Sequence, residues 1–222
     1  MLFPAHTRSL FALLCLTLLL TAPFPAVAAE FSIDADYPGG NILIKKIEGD
    51  QVLLAPDLRD TAGWWFYWNF RVTGAAGRTV TFQFDGQSPI GVRGPAISQD
   101  GGATWAWMGA ECVTKNSFDY TFSADAGEVR FAFTIPYLQS DLDAFLKKHE
   151  KSSFLSVTTL CATGKNRSVE KLHIGNLEGD PRFRVLITAR HHACEAMANF
   201  VLEGLMDVIL ADTEDGCWFG RN

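Results

Sequence analysis

From about residue 30 to residue 136, apolar and polar residues alternate in short runs. Trp64, Phe66, Trp68, Phe70 and Val72 alternate with Trp65, Tyr67, Asn69, Arg71 and Thr73. Val80, Phe82 and Phe84 alternate with Thr81, Gln83 and Asp85, and Phe118, Tyr120 and Phe122 with Asp119, Thr121 and Ser123. Val129, Phe131, Phe133 and Ile135 follow the same rule. A period of two places one apolar face on a strand. Turn signals separate the runs at Gly74 to Gly77, Asp85-Gly86, Asp100-Gly101-Gly102 and Asp125 to Gly127. Short strands with one apolar face predict two sheets packed face to face.

After Pro136 the period changes. Ser140-Asp141-Leu142-Asp143 reads as a helix start with Ser140 as cap, and Leu142, Phe145 and Leu146 continue at helical spacing. Phe154 to Cys161, Val169 to Ile174 and Phe183 to Ala189 read as strands, with a turn at Gly164 to Arg167. A helix follows from about Cys194 to Leu210, with Met197, Phe200, Val201, Leu205, Val208 and Ile209 at helical spacing. This pattern predicts an α/β domain with a mixed sheet. The expected division is therefore a β-sandwich over residues 30–136 and a partial α/β domain over residues 137–222.

The first 29 residues read differently. Leu10 to Leu20 are apolar except for Thr17, Pro23 and Pro25 break the run, and Ala26-Val27-Ala28-Ala29 offers small residues for cleavage. A run of that length is a secretory leader and is short for a membrane span, which needs about 20 apolar residues. The expectation is an exported chain with no membrane span once the leader is removed. The net charge of −6 becomes more negative when Arg8 leaves with the leader. No basic cluster remains, which argues against nucleic acid as a partner. Cys112, Cys161, Cys194 and Cys217 show no metal-type spacing. Cys161 and Cys194 read as buried free thiols.

Chemistry concentrates at Arg190-His191-His192-Ala193-Cys194-Glu195, between the third expected strand and the long helix. His192 and Glu195 stand three residues apart and His191 and Glu195 four, and either spacing puts both side chains on one helical face. Imidazole and carboxylate are both zinc ligand types, and a catalytic zinc uses three protein donors and one open position. The bland reading is an acid in a first helical turn, where the dipole favours it.

Two further motifs read as structural. Ser98-x-Asp100-x-Gly102-x-Thr104-Trp105 matches the Asp-box pattern of sialidase-like propellers. It occurs once, so it reads as a hairpin turn with Trp105 packed beneath it. Trp65 and Tyr67, on the second face of the aromatic run, read as covered by another part of the chain rather than as a stacking platform.

Together, Leu160 to Arg167, Ala189 to Glu195, Asn199 to Gly204, and Ile135-Pro136-Tyr137 with Ser140-Asp141-Leu142 resemble zinc carboxypeptidases. The branch most similar is the cytosolic-carboxypeptidase-like one. The resemblance implies a β-sandwich domain followed by the N-terminal part of an α/β mixed-sheet zinc carboxypeptidase domain. It implies zinc held by His192 and Glu195, His191 as a packing neighbour, and a peptide or protein C-terminus as partner. The family's third ligand, substrate-binding arginines and catalytic glutamate would lie further along than this sequence reaches. His149 and His173 precede the motif and are no match for that ligand. The resemblance thus implies a truncated metallocarboxypeptidase, inactive as this chain alone. The alternative expectation is a non-catalytic sandwich that serves binding or structure.

Overall fold

A computed structural model describes residues 30–59, 61, 63 and 66–222. The leader expected over residues 1–29, and Trp64 and Trp65 of the aromatic run, lie outside them. In chain order the first ten strands are β1 (Ser32–Asp34), β2 (Leu43–Glu48), β3 (Gln51–Ala55), β4 (Asn69–Thr73), β5 (Thr79–Phe84), β6 (Ala96–Ser98), β7 (Ala106–Trp107), β8 (Val113–Thr114), β9 (Ser117–Thr121) and β10 (Glu128–Ala132). They form two five-stranded sheets, ordered β1-β4-β10-β6-β7 and β2-β3-β5-β9-β8. All pairings are antiparallel except β3 with β5.

The period-two runs explain this packing. Phe70 and Val72 stand opposite Phe131 and Val129 on β4 and β10. They meet Val80, Phe82 and Phe84 of β5 and Phe118 of β9 in one buried core. Rings touch across the two sheets, Phe70 to Phe82 at 5.3 Å, Phe82 to Phe131 at 5.2 Å and Phe118 to Phe131 at 5.4 Å between centroids. Such pairs add about 0.5–1.5 kcal/mol each beyond area burial. Trp68 is fully buried, and its indole N–H donates to the Pro89 carbonyl at 3.0 Å. A buried indole needs that acceptor.

Tyr67 points the other way along the chain yet is also buried. Its hydroxyl donates to the Gly39 carbonyl at 2.7 Å. Gly39 has φ of 81°, and a Cβ there would sit 2.5 Å from the Leu138 side chain. The positive φ is what favours glycine there, at the point where the first part of the chain meets the start of the second. The Asp-box segment joins β6 to β7 as a turn. Ser98 Oγ donates to Asp100 Oδ1 at 2.8 Å, and Asp100 accepts from the Thr104 N–H at 2.9 Å and its hydroxyl at 2.5 Å. Those bonds, the Thr104 hydroxyl first, pull the Asp100 carboxyl down to about 2.

The second part holds α1 (Gln139–Lys148), β11 (Leu155–Ala162), β12 (Ser168–Ile174), α2 (Ala196–Leu210) and α3 (Glu214–Arg221). Three expectations need correction here. Ser140 is not the cap of α1. The helix begins at Gln139 with Leu138 as its cap, two residues earlier, and the Asp141 carboxylate takes the Leu138 N–H at 2.5 Å from inside the first turn. Cys161 is exposed rather than buried, whereas Cys194 is buried, and all four described cysteines are free.

The third correction concerns the mixed sheet. β11 and β12 pair antiparallel, but Phe183 to Ala189 carry no ladder. A strand is defined by its partner, and among the described residues none lies beside this segment. Val185 is 80% and Leu186 89% exposed, and the segment is held at its start by the Arg182 and Phe183 N–H groups on the Asn222 carbonyl. Among the described residues no helix is long and apolar enough to cross a membrane.

Candidate metal centre

The turn before α2 is pinned by Arg190. Its backbone has φ of 57°, a left-handed conformation that costs a non-glycine residue energy unless the surroundings hold it. Its guanidinium supplies that hold. Nη1 donates to the Tyr137 carbonyl at 2.5 Å, and Nε and Nη2 donate to the Ala193 carbonyl at 3.2 and 3.1 Å. One planar fork thus ties the turn to itself and to the junction beside Tyr67. The sequence reading missed this role. The only signal was an arginine directly before the histidine pair, and its positive φ leaves no local trace in the residue type.

Beyond Arg190 the chain closes a small ring of hydrogen bonds. The Glu195 N–H donates to the His192 carbonyl at 3.1 Å. In return the His192 N–H donates to Glu195 Oε2 at 3.0 Å, and His192 Nδ1 lies 2.9 Å from Glu195 Oε1. The histidine ring beside Glu195, and then the His192 backbone N–H, hold the glutamate carboxyl below its usual range. Both side chains face solvent, with the His192 side chain 73% exposed.

His191 takes a different direction, its Nε2 lying 3.0 Å from Thr188 Oγ1. The geometry therefore brings Glu195 together with His192 and leaves His191 with its own preceding segment. Cys194, between them in sequence, is buried, and burial pushes its thiol up, away from the thiolate a metal would need. His149 is committed to Asp207 at 2.6 Å, and His173 lies on β12.

An exposed imidazole nitrogen and an ionised carboxylate oxygen at 2.9 Å are the donor types zinc takes. They fit two positions of such a centre. Among the described residues no group of three or more His, Cys, Asp or Glu side chains could hold a metal. The pair alone offers two donors, one short of the three protein ligands a catalytic zinc uses.

The chain is similar in structure to several solved carboxypeptidases. The metallo-carboxypeptidase from Burkholderia cenocepacia superposes with a TM-score of 0.70 at 23% identity, over 86% of this chain and 53% of that one. A putative carboxypeptidase from Burkholderia mallei gives 0.68 at 24% identity, over 84% of this chain and 49% of that one. A metallo-carboxypeptidase from Pseudomonas aeruginosa, solved in complex with (2-guanidinoethylmercapto)succinic acid, gives 0.62 at 22% identity, over 83% of this chain and 50% of that one. The chain spans about half the length of these proteins. No family model and no curated protein matches it. The likeness establishes a carboxypeptidase-like fold.

Proposed function

We propose that this chain carries the N-terminal β-sandwich and the first part of an α/β catalytic domain of a zinc metallocarboxypeptidase of the cytosolic-carboxypeptidase-like branch. The supporting observation is the His192–Glu195 pair, held 2.9 Å apart at the start of α2 within a carboxypeptidase-like fold. His192 and Glu195 are two zinc donors, and the partner is the C-terminus of a peptide or protein. Bound zinc would supply a Lewis acid and an activated water for peptide hydrolysis. The chain's own contribution is positional. Arg190 fixes the turn, and the His192 ring, then its backbone N–H, hold the Glu195 carboxylate ionised.

Hydrolysis of a C-terminal bond also needs a third donor, a base for the water and cations for the substrate carboxylate. Among the described residues no third donor is grouped with the pair. We therefore propose zinc binding that is weak, and no peptidase activity for the chain alone. The leader is proposed to be cut at Ala28 or Ala29 on export, which N-terminal sequencing of the exported chain would check.

Calorimetry with zinc tests the metal assignment. Weak binding that disappears in His192→Ala is expected, and tight binding that survives the substitution would sink it. In parallel, acidic, basic and apolar peptides should lose no C-terminal residue above a metal-free control. Zinc-dependent release, abolished by Glu195→Ala, would show that the centre is completed in some other way. A second reading, a sandwich that serves binding or structure, is favoured by the closed core of the two sheets beside the open second part.

A further inference from the structure

A cleft of about 280 Å³ opens where the two-sheet part meets α1 and α2, and none of residues 190–195 lines it. One wall is the Asp-box turn, with Gly102, Ala103 and Trp105. Arg130 of β10, Tyr37, and Ser140 and Asp141 of α1 also line it. We propose that this cleft binds a single neutral pyranose ring, as a free sugar or the end of a glycan.

The chemistry of the lining selects that class. The Trp105 indole N–H is spent on the Gly102 carbonyl at 3.0 Å, which fixes the ring as a flat apolar wall. Arg130 stacks over Tyr37 at 4.4 Å, and its Nε is bound to Glu128 at 2.6 Å. No hydrogen bond among the described residues engages its Nη atoms. Asp141 Oδ2 accepts from the Leu138 N–H, and no hydrogen bond among the described residues engages its Oδ1 in the cleft or the Ser140 hydroxyl. A fixed aromatic face, a planar donor, a carboxylate acceptor and a hydroxyl suit a ring with C–H bonds on one face and adjacent hydroxyls at its edge.

Other classes fit less well. Glu128 offsets the Arg130 charge, Asp141 adds a second carboxylate to the lining, and the chain is acidic, which disfavours phosphate and carboxylate ligands. The polar rim disfavours a purely apolar ligand. The volume falls just below the usual range of ligand pockets, about 300–1,000 Å³, and suits one ring rather than a nucleotide.

Gly102 helps to shape the site. Its φ of 93° is open to glycine, and a Cβ there would lie 2.9 Å from Arg130 Nη1. The proposal is independent of the metal pair.

Saturation-transfer NMR on the purified chain, with glucose, galactose, mannose and N-acetylglucosamine, tests it. Inorganic phosphate and AMP, followed by chemical-shift perturbation, represent the competing classes. At least one sugar should show transfer, weakened roughly tenfold in Trp105→Ala, where the stacking wall is lost. Ala103→Trp, on the exposed rim, should fill the cleft and abolish transfer while the melting transition is retained. That variant covers the case in which Trp105→Ala unfolds the hairpin. Transfer from none of the four sugars, transfer unchanged in Ala103→Trp, or a site that takes phosphate or AMP in preference would each overturn the proposal.

Discussion

Thr134 is a buried residue whose hydroxyl has no hydrogen-bond partner among the described residues. It follows β10, where the chain leaves the sheet. A buried hydroxyl without a partner keeps its desolvation cost and gains nothing in return. Thr134→Val has nearly the same shape and removes the cost, so it should stabilise the fold by about 1 kcal/mol. Urea denaturation followed by tryptophan fluorescence would read the gain, and a loss of stability would mean that the hydroxyl has a partner. Asp207 is the opposite case. Lys148 Nζ at 2.7 Å, and then His149 Nε2 at 2.6 Å, hold its carboxyl below the usual range. The unfolded chain then binds the proton first as pH falls, so this contribution is complete above about pH 4 and disappears as pH drops through the folded value. Asp207→Asn should flatten the acid limb of the melting temperature below about pH 4 and also lower the plateau, because it removes the α1–α2 link. An unchanged acid limb would refute the coupling.

At the scale of elements, the caps separate two readings of α1. If Asp141 closes the helix start, Asp141→Ala should cost about 1 kcal/mol by freeing the Leu138 N–H. Ser140→Ala should stay within about 0.5 kcal/mol, since its hydroxyl caps nothing. Equal costs from the two variants would contradict this assignment. The pair shows why local patterns locate elements better than their ends. Serine and aspartate both favour helix starts, and only the backbone geometry chooses between them. The core strands were legible because Val80, Phe82 and Phe84 need one apolar face and nothing else. Tyr67 lies on the polar face of its run, and its burial depends on Gly39 and Leu138, far away in the chain. Phe183 to Ala189 read as a strand because the run is apolar, but a ladder needs a neighbour that no local pattern reveals. The spacing of His192 and Glu195 was visible. What the ring bonds to, the diversion of His191 to Thr188 and the grip of Arg190 on Tyr137 belong to the fold.

For the whole molecule, the two parts differ in how completely they bury their apolar side chains. The two sheets close over Phe70, Phe82, Phe118 and Phe131, each at most 1% exposed. The second part leaves Val185, Leu186, Val201 and Val208 more than half exposed, on an unpaired segment and one helix. Single exposed apolar residues are ordinary, but a segment of unpaired backbone beside an apolar helix face is an edge that attracts other chains. Residues 30–136 expressed alone should therefore unfold in one cooperative transition, weakened where Tyr67 loses its cover at Leu138. Residues 137–222 alone should bind a hydrophobic dye, elute as aggregates and melt without a sharp transition. The distinction is physical, because the first part holds its core between its own sheets while the second sets Leu138 against Gly39 and Arg190 beside Tyr67 of the first. Size-exclusion chromatography and calorimetry on the two fragments decide the matter. A soluble, cooperatively melting 137–222 fragment would show that its open apolar face needs no cover, and an aggregating 30–136 fragment would show that the two sheets depend on the helices beside them.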